Sequence, residues 1–207
     1  GDHGSRVSLD WTHDHLTACR ADDLLVAQTC GWPLVTMLDG VVDVVGTFDP
    51  DVPGADSGHY RSALIAGPNR DAPAAVNGYD SLSGWISLRA LLGDVGDVTI
   101  TGSHAASLRS VATGQAAIAS IDAVSLALLG RDEPELVSRV RVIDHGPRVP
   151  CLPLVARRGA DVDRLRTAFT RAVGDAPDEL LDGLRMRSFV PLTWSHFAPL
   201  RALAPTT

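Results

Sequence analysis

The chain has 207 residues, of which 45% are hydrophobic and 21% charged, enough for one large domain or two small lobes with a buried core. The formal net charge is −7, which excludes nucleic-acid binding through bulk electrostatic attraction. All 18 basic residues are arginine, and the lack of lysine excludes a P-loop and Schiff-base chemistry.

Apolar periodicity and breaker residues predict the elements in chain order. Residues 1–10 are expected to be loose. Strands are predicted at 23–27, 41–48, 60–66, 74–77, 97–101, 116–121, 139–143 and 154–156. Helices are predicted at 14–19, 34–38, 84–92, 104–113, 123–129, 161–173 and 178–184, and a C-terminal tail is expected from residue 189. From residue 74 to 143, strands alternate with helices, which predicts βαβ units and a parallel sheet.

Two segments rich in proline divide the chain, at 69–73 and at 145–151. The simplest organisation places residues 1–68 together with 152–207 in a first lobe and inserts 74–144 as a second lobe. The two linkers then cross between the lobes and form a hinge around a cleft, an arrangement suited to closure on a ligand. No run of about 18 apolar residues predicts a membrane span, and no signal peptide is visible.

In the inserted segment, three predicted strands give way to helices at small polar or ionisable residues. The junctions carry Ser81-Leu82-Ser83-Gly84, then Gly102-Ser103-His104, then Asp122. A helix start has unpaired N–H groups and the positive end of the helix dipole, so several starts around one crevice favour a small oxyanion. We therefore expect a phosphate-like or carboxylate-like ligand.

Each of these residues also has a purely structural interpretation. Ser81 is a typical N-cap, although Ser83 and Gly84 after it favour close approach of an anion. Asp122 has a structural interpretation, as the cap of the next helix. It also has a functional one, in which it accepts hydrogen bonds from the O–H groups of a ligand or anchors His104. Both interpretations stay open. A serine hydrolase is weakly indicated, since the segment lacks the Gly-x-Ser-x-Gly pattern of a nucleophile elbow.

Further candidates lie outside that segment. Trp32 and Tyr60 each lie beside a turn and would be either core residues or the opposite wall of the cleft. The cluster His13-Asp14-His15 offers too few ligands for a convincing metal site. Cys19, Cys30 and Cys151 form no disulfide pattern and are expected to be isolated thiols.

The motifs around these residues resemble the phosphate/phosphite/phosphonate substrate-binding proteins of ABC importers. Those motifs are Gln28-Thr29-Cys30-Gly31-Trp32-Pro33-Leu34, Tyr60-Arg61-Ser62-Ala63, Ser81-Leu82-Ser83-Gly84, Thr101-Gly102-Ser103-His104, Ile121-Asp122 and Gly146-Pro147 through Pro153-Leu154-Val155. The resemblance covers residues 24–191. It implies the α/β type 2 periplasmic-binding-protein fold, with two lobes, two hinge crossings and the ligand in the cleft.

By this resemblance the chain is a solute receptor without catalytic residues, cofactor or metal. Ser81, Ser83 and the Leu82 N–H would hold the oxyanion with His104, and Tyr60 and Trp32 would reach across from the first lobe, with Asp122 in the ligand-facing turn. An ABC permease is the implied partner, in the periplasm or outside the cell, although a cytoplasmic location stays open. The alternatives are the ligand-sensing domain of a regulator and, less favoured, the hydrolase.

Two features depart from the family pattern. Phosphonate binders that hold an ammonium group carry an acidic residue in the proline-rich crossing, where this chain has Cys151 and Leu152. An aminoalkyl phosphonate is therefore not indicated. The strand and helix with which family members begin are also expected to be missing or replaced.

Overall fold

The computed structural model describes Ser8 and residues 15–204. The α-helices in this part are α1 (His15–Cys19), α2 (Gly31–Met37), α3 (Ser87–Leu92), α4 (His104–Ala112), α5 (Ala123–Asp132), α6 (Pro134–Val137), α7 (Val162–Gly174), α8 (Asp178–Leu184) and α9 (Trp194–Phe197). A π-helical turn, Leu82–Ile86, precedes α3, and a 3₁₀ helix, Ala198–Leu203, follows α9. The strands are β1 (Ala27–Gln28), β2 (Val42–Pro50), β3 (His59–Tyr60), β4 (Ala63–Ala66), β5 (Ala74–Val76), β6 (Val98–Ile100), β7 (Ile118–Ile121), β8 (Arg141–His145), β9 (Val149–Pro150), β10 (Pro153–Arg157) and β11 (Met186–Val190).

The strands form two main sheets. The first contains four antiparallel strands in the order β1-β10-β2-β11, and the second contains five in the order β6-β5-β7-β4-β8. In the second sheet, β5 runs parallel to both β6 and β7, as the alternation of strands and helices predicts. Strand β4 pairs antiparallel with β7 and β8, so this sheet is mixed.

The strand predicted at residues 60–66 is wrong in its extent and in its lobe. The structure contains two strands there, and the second, β4, pairs with strands of the five-stranded sheet. Residues 67–73 therefore connect β4 to β5 within one sheet and do not cross between the sheets. The partner of a strand cannot be predicted from its local sequence, because strand pairing depends on how side chains from distant parts of the chain pack together.

Both chain crossings lie next to β3 and β9, which pair with each other between the main sheets. Gly146 donates its N–H to the Ser62 carbonyl over 2.9 Å, so the two crossing segments are hydrogen-bonded to one another. A Cβ on Gly146 would lie 2.0 Å from Ser87 Oγ, so only glycine fits at this contact. We propose that the rest of the predicted division into two lobes holds. Residues 1–7 and 9–14 of the first lobe lie outside the described part of the chain.

The main apolar cluster spans both sheets. It joins Leu34, Val44 and Phe197 on the side of the four-stranded sheet to Leu82 and Ile86 of the π-helical turn. The tail predicted from residue 189 is wrong, because residues 189–190 belong to β11, which pairs with β2 at the edge of the four-stranded sheet, and α9 and the 3₁₀ helix follow. None of the helices in the described part of the chain has the length and hydropathy needed to cross a bilayer.

Candidate functional site

A cavity of about 590 Å³ lies between the two sheets. One wall consists of polar residues from the ends of β5 and β7 and from the helix starts: Asn77, Ser81, Ser83, His104, Asp122 and Ser125. The facing wall comes from the four-stranded sheet and the crossings: Thr47, Phe48, Tyr60, Leu152, Arg185 and Met186. Five of the seven predicted binding residues therefore line one cavity.

Ser81 begins the π-helical turn and also lines the cavity. Its side chain accepts a hydrogen bond from the Gly84 N–H over 3.0 Å, and its carbonyl accepts one from the Ile86 N–H, five residues later. The capping interpretation of Ser81 is therefore realised in the structure. π-Helical turns are rare and frequently lie at functional sites, because the wider turn changes where side chains point.

Leu82 does not line the cavity. Its side chain is buried in the main apolar cluster, and its N–H donates to Cys30 Sγ over 3.4 Å. Burial raises the pKa of the Cys30 thiol, and the Leu82 N–H opposes this effect. A ligand oxygen could accept a hydrogen bond from the Leu82 N–H only by replacing the Cys30 thiol as its acceptor.

Ser83 and His104 form the central polar pair of the wall. Ser83 Oγ lies 2.8 Å from His104 Nε2, and the Ser83 carbonyl accepts a hydrogen bond from Ser120 Oγ over 2.6 Å. His104 is the first residue of α4, whose N-cap is Ser103. Burial lowers the pKa of His104, and the Asp122 carboxylate partly opposes this shift. The imidazole is thus favoured in its neutral form, with one N–H to donate.

Two buried polar atoms on this wall have no hydrogen-bond partner among the described residues. They are His104 Nδ1 and Asn77 Oδ1. Buried polar groups are nearly always paired, so unpaired ones at a cavity indicate a place for ligand or water. The unpaired Nδ1 also argues against the serine hydrolase interpretation, because among the described residues no third side chain orients the imidazole of the Ser83–His104 pair.

Asp122 and Tyr60 both line the cavity and interact with each other. Asp122 caps α5 by accepting the Ser125 N–H over 2.9 Å, so capping and cavity lining occur together. Tyr60 is buried, and burial followed by the Asp122 carboxylate raises the pKa of its phenol well above the ordinary value. The phenol therefore keeps its proton and donates a hydrogen bond to Asp122.

Trp32 lies elsewhere. It is the second residue of α2 and packs against the main apolar cluster without lining the cavity. The core interpretation of this residue therefore fits the structure, and its predicted approach to a ligand stays a prediction.

Sequence reasoning missed Arg185, which lines the cavity between α8 and β11. Its backbone is left-handed, with φ 52° and ψ 47°. No motif marks this position, because the side chain reaches the cavity only through the pairing of β11 with β2.

Two of the three residues in the His13-Asp14-His15 cluster lie outside the part of the chain that the structure describes. His13 and Asp14 lie outside the described residues, and His15 lines the cavity. Within the described residues, no group of three or more His, Cys, Asp or Glu side chains is placed to hold a metal ion.

Comparison with known proteins matches most of the chain to one family. Residues 12–197 match the family described as ABC transporter, phosphonate, periplasmic substrate-binding protein. A binding protein of an ABC phosphonate transporter from Pseudomonas aeruginosa is similar in structure, with a TM-score of 0.73 and 19% identity, covering 91% of this chain and 70% of that one. PhnD1 from Prochlorococcus marinus in complex with methylphosphonate has a TM-score of 0.76 and 14% identity, covering 91% and 80%.

A Xanthomonas citri protein bound to ATP is also similar, with a TM-score of 0.67 and 16% identity, covering 91% of this chain and 79% of that one. At these identities the solved structures show the fold, which is that of periplasmic binding proteins. No curated protein sequence matches the chain significantly.

Proposed function

The chain belongs to the phosphonate periplasmic substrate-binding proteins of ABC transporters, and from this premise we propose that it captures a phosphonate-type oxyanion in the cavity between its sheets. Proteins of this family bind solutes and are not enzymes. The ligand would be released to an ABC permease, as in the family. The solved PhnD1 complex with methylphosphonate supports this class of ligand for the present chain.

The observation that carries the proposal is the Ser83–His104 pair on the cavity wall. His104 can donate Nε2–H to Ser83 Oγ, which leaves the serine hydroxyl hydrogen free for a ligand oxygen. The helix start behind each side chain adds a favourable dipole for negative charge. These local groups would offset the unfavourable net charge of −7.

Asp122 sets a condition on the ligand. A carboxylate at the cavity wall repels a fully ionised oxyanion but accepts a hydrogen bond from an oxygen that carries a proton. We therefore assign Asp122 the role of accepting the hydroxyl of a singly ionised phosphonate. Tyr60 would share its hydrogen between Asp122 and the ligand.

Isothermal titration calorimetry with methylphosphonate tests the proposal. Replacing Ser83→Ala removes a hydrogen bond to a charged group, worth about 1.5–3 kcal/mol, so affinity should fall roughly tenfold to a hundredfold. Ser138→Ala is the matched control, since Ser138 is exposed and its hydroxyl donates to the Glu135 carbonyl in α6. Absence of heat with methylphosphonate, phosphite and phosphate alike would overturn the proposal.

A further inference from the structure

The cavity contains a second potential anchor for a ligand. The Nε atom of Arg185 is buried and finds no hydrogen-bond partner among the described residues. None of the ion pairs between described residues includes Arg185. A buried donor on a cationic group is costly when unpaired, so its position at a cavity wall indicates an acceptor that comes from outside the chain.

The main chain holds Arg185 firmly in place. Its N–H bonds to the Asp182 carbonyl over 3.2 Å, and its own carbonyl accepts the Asp51 N–H over 2.8 Å. The left-handed conformation at φ 52° is one that glycine adopts far more readily than arginine. The fold therefore keeps a long cationic side chain at a helix end where glycine would be the easier choice.

The surroundings of Arg185 differ from the polar wall. Phe48, Leu152 and Met186 contribute apolar surface to the same side of the cavity. A cavity of about 590 Å³ is also far larger than a phosphonate with a single methyl group requires, since volumes of roughly 300–1,000 Å³ accommodate drug-sized ligands. The cavity thus offers oxyanion donors on one wall, apolar surface beyond them, and a guanidinium.

We propose that the receptor favours organophosphonates whose carbon chain ends in a second acidic group, a carboxylate, which Arg185 binds. This inference rests on the proposed function, because the phosphonate would occupy the Ser83–His104 wall. The planar guanidinium matches a carboxylate with two parallel hydrogen bonds. An ammonium group at the same position would meet the cation and be disfavoured.

Calorimetry with four ligands tests the inference: methylphosphonate, phosphonoacetate, 3-phosphonopropionate and 2-aminoethylphosphonate. We expect at least one carboxylated ligand to bind the unmodified chain about tenfold or more tighter than methylphosphonate, as charge-assisted bidentate pairs allow. The aminoethyl compound should bind more weakly than the carboxylated pair.

Arg185→Gly separates binding from folding. Glycine accepts the left-handed backbone, so the melting temperature should not fall, while the advantage of the carboxylated ligand over methylphosphonate should disappear. Arg185→Lys should restore only part of the advantage, since an ammonium group lacks the fork of donors. Arg164→Met, on the exposed face of α7, is the matched control and should retain the full advantage.

The outcomes distinguish the two proposals. If methylphosphonate binds but the carboxylated ligands bind no more tightly, or if Arg185→Gly keeps their advantage, the inference is overturned and the proposed function stands. If no phosphonate binds the unmodified chain, the proposed function fails and the inference falls with it.

Discussion

His104 combines three properties at the scale of a single residue. It starts a helix, it shares a hydrogen bond with Ser83, and burial lowers its pKa below the ordinary 6.5. In the unfolded chain the imidazole takes up a proton near pH 6.5, whereas in the folded chain it stays neutral to lower pH. The unfolded state therefore binds more protons in this window, and the folded state loses stability as the pH falls through it.

The pH dependence of unfolding measures this effect. The contribution of His104 is fully present above pH 6.5 and is lost as the pH falls through the lowered pKa of the folded state. Chemical denaturation between about pH 8 and pH 5 should show a shallower loss of stability in His104→Gln than in the unmodified chain, by less than one proton in slope. His145→Gln, which removes an exposed imidazole that does not line the cavity, is the control. An unchanged slope in His104→Gln would contradict the buried neutral imidazole.

How far single residues can be predicted from sequence depends on what positions them. Ser81, Ser83, His104 and Asp122 lie at helix starts, and helix starts follow from local capping and periodicity. Their shared location follows because strands β5 and β7 are neighbours and run parallel. Arg185 follows no such rule, since it is placed by the pairing of β11 with β2 across 136 or more residues of chain.

At the scale of an element, the π-helical turn depends on Gly84. A Cβ at this position would lie 1.9 Å from Asn77 Oδ1 and 2.9 Å from Ser81 Oγ, the atom that caps the turn. Gly84→Ala should therefore displace Asn77, disturb the cap and destabilise the fold by about 1–3 kcal/mol, as overpacking does. Affinity for methylphosphonate should fall as well, since both displaced side chains line the cavity.

Gly130→Ala provides the matched control for this element. Gly130 lies inside α5, and a Cβ there would meet open space. Alanine favours a helix interior over glycine by up to about 1 kcal/mol, so this variant should be as stable as the unmodified chain or more so. Thermal melts and calorimetry on both variants make the comparison. Equal stability and affinity for Gly84→Ala and Gly130→Ala would show that the turn tolerates a side chain.

Elements were predictable from sequence where their apolar pattern was continuous. The strand at 41–48 corresponds to β2, which is buried along nearly its whole length, and the helix at 161–173 corresponds to α7. Strand β11 escaped prediction because Arg187 interrupts its apolar residues. In the structure it pairs with β2, and Arg187 forms ion pairs with Asp49 and Asp51. Tertiary partners of this kind are invisible in a local window.

At the scale of the whole molecule, the two sheets are joined around the cavity by apolar and polar contacts. Leu82 and Ile86 of the π-helical turn are buried in the cluster that belongs mainly to the four-stranded side. In addition, Arg131 in α5 donates to the Gly183 carbonyl in α8 over 2.9 Å. A ligand that contacts both walls would favour the arrangement in which they face each other, through its differential affinity for that state.

The net charge of −7 predicts how an anionic ligand approaches this molecule. Repulsion over long range should slow association at low ionic strength, where the screening length is about 30 Å at 0.01 M, and should weaken near 0.15 M, where it is about 8 Å. Stopped-flow measurement of tryptophan fluorescence should therefore show the association rate of methylphosphonate rising with salt. The dissociation rate, set by contacts inside the cavity, should change less and serves as the internal control. An association rate that falls with salt would mean that the cavity's own cationic groups, Arg185 foremost, dominate the field that the ligand meets.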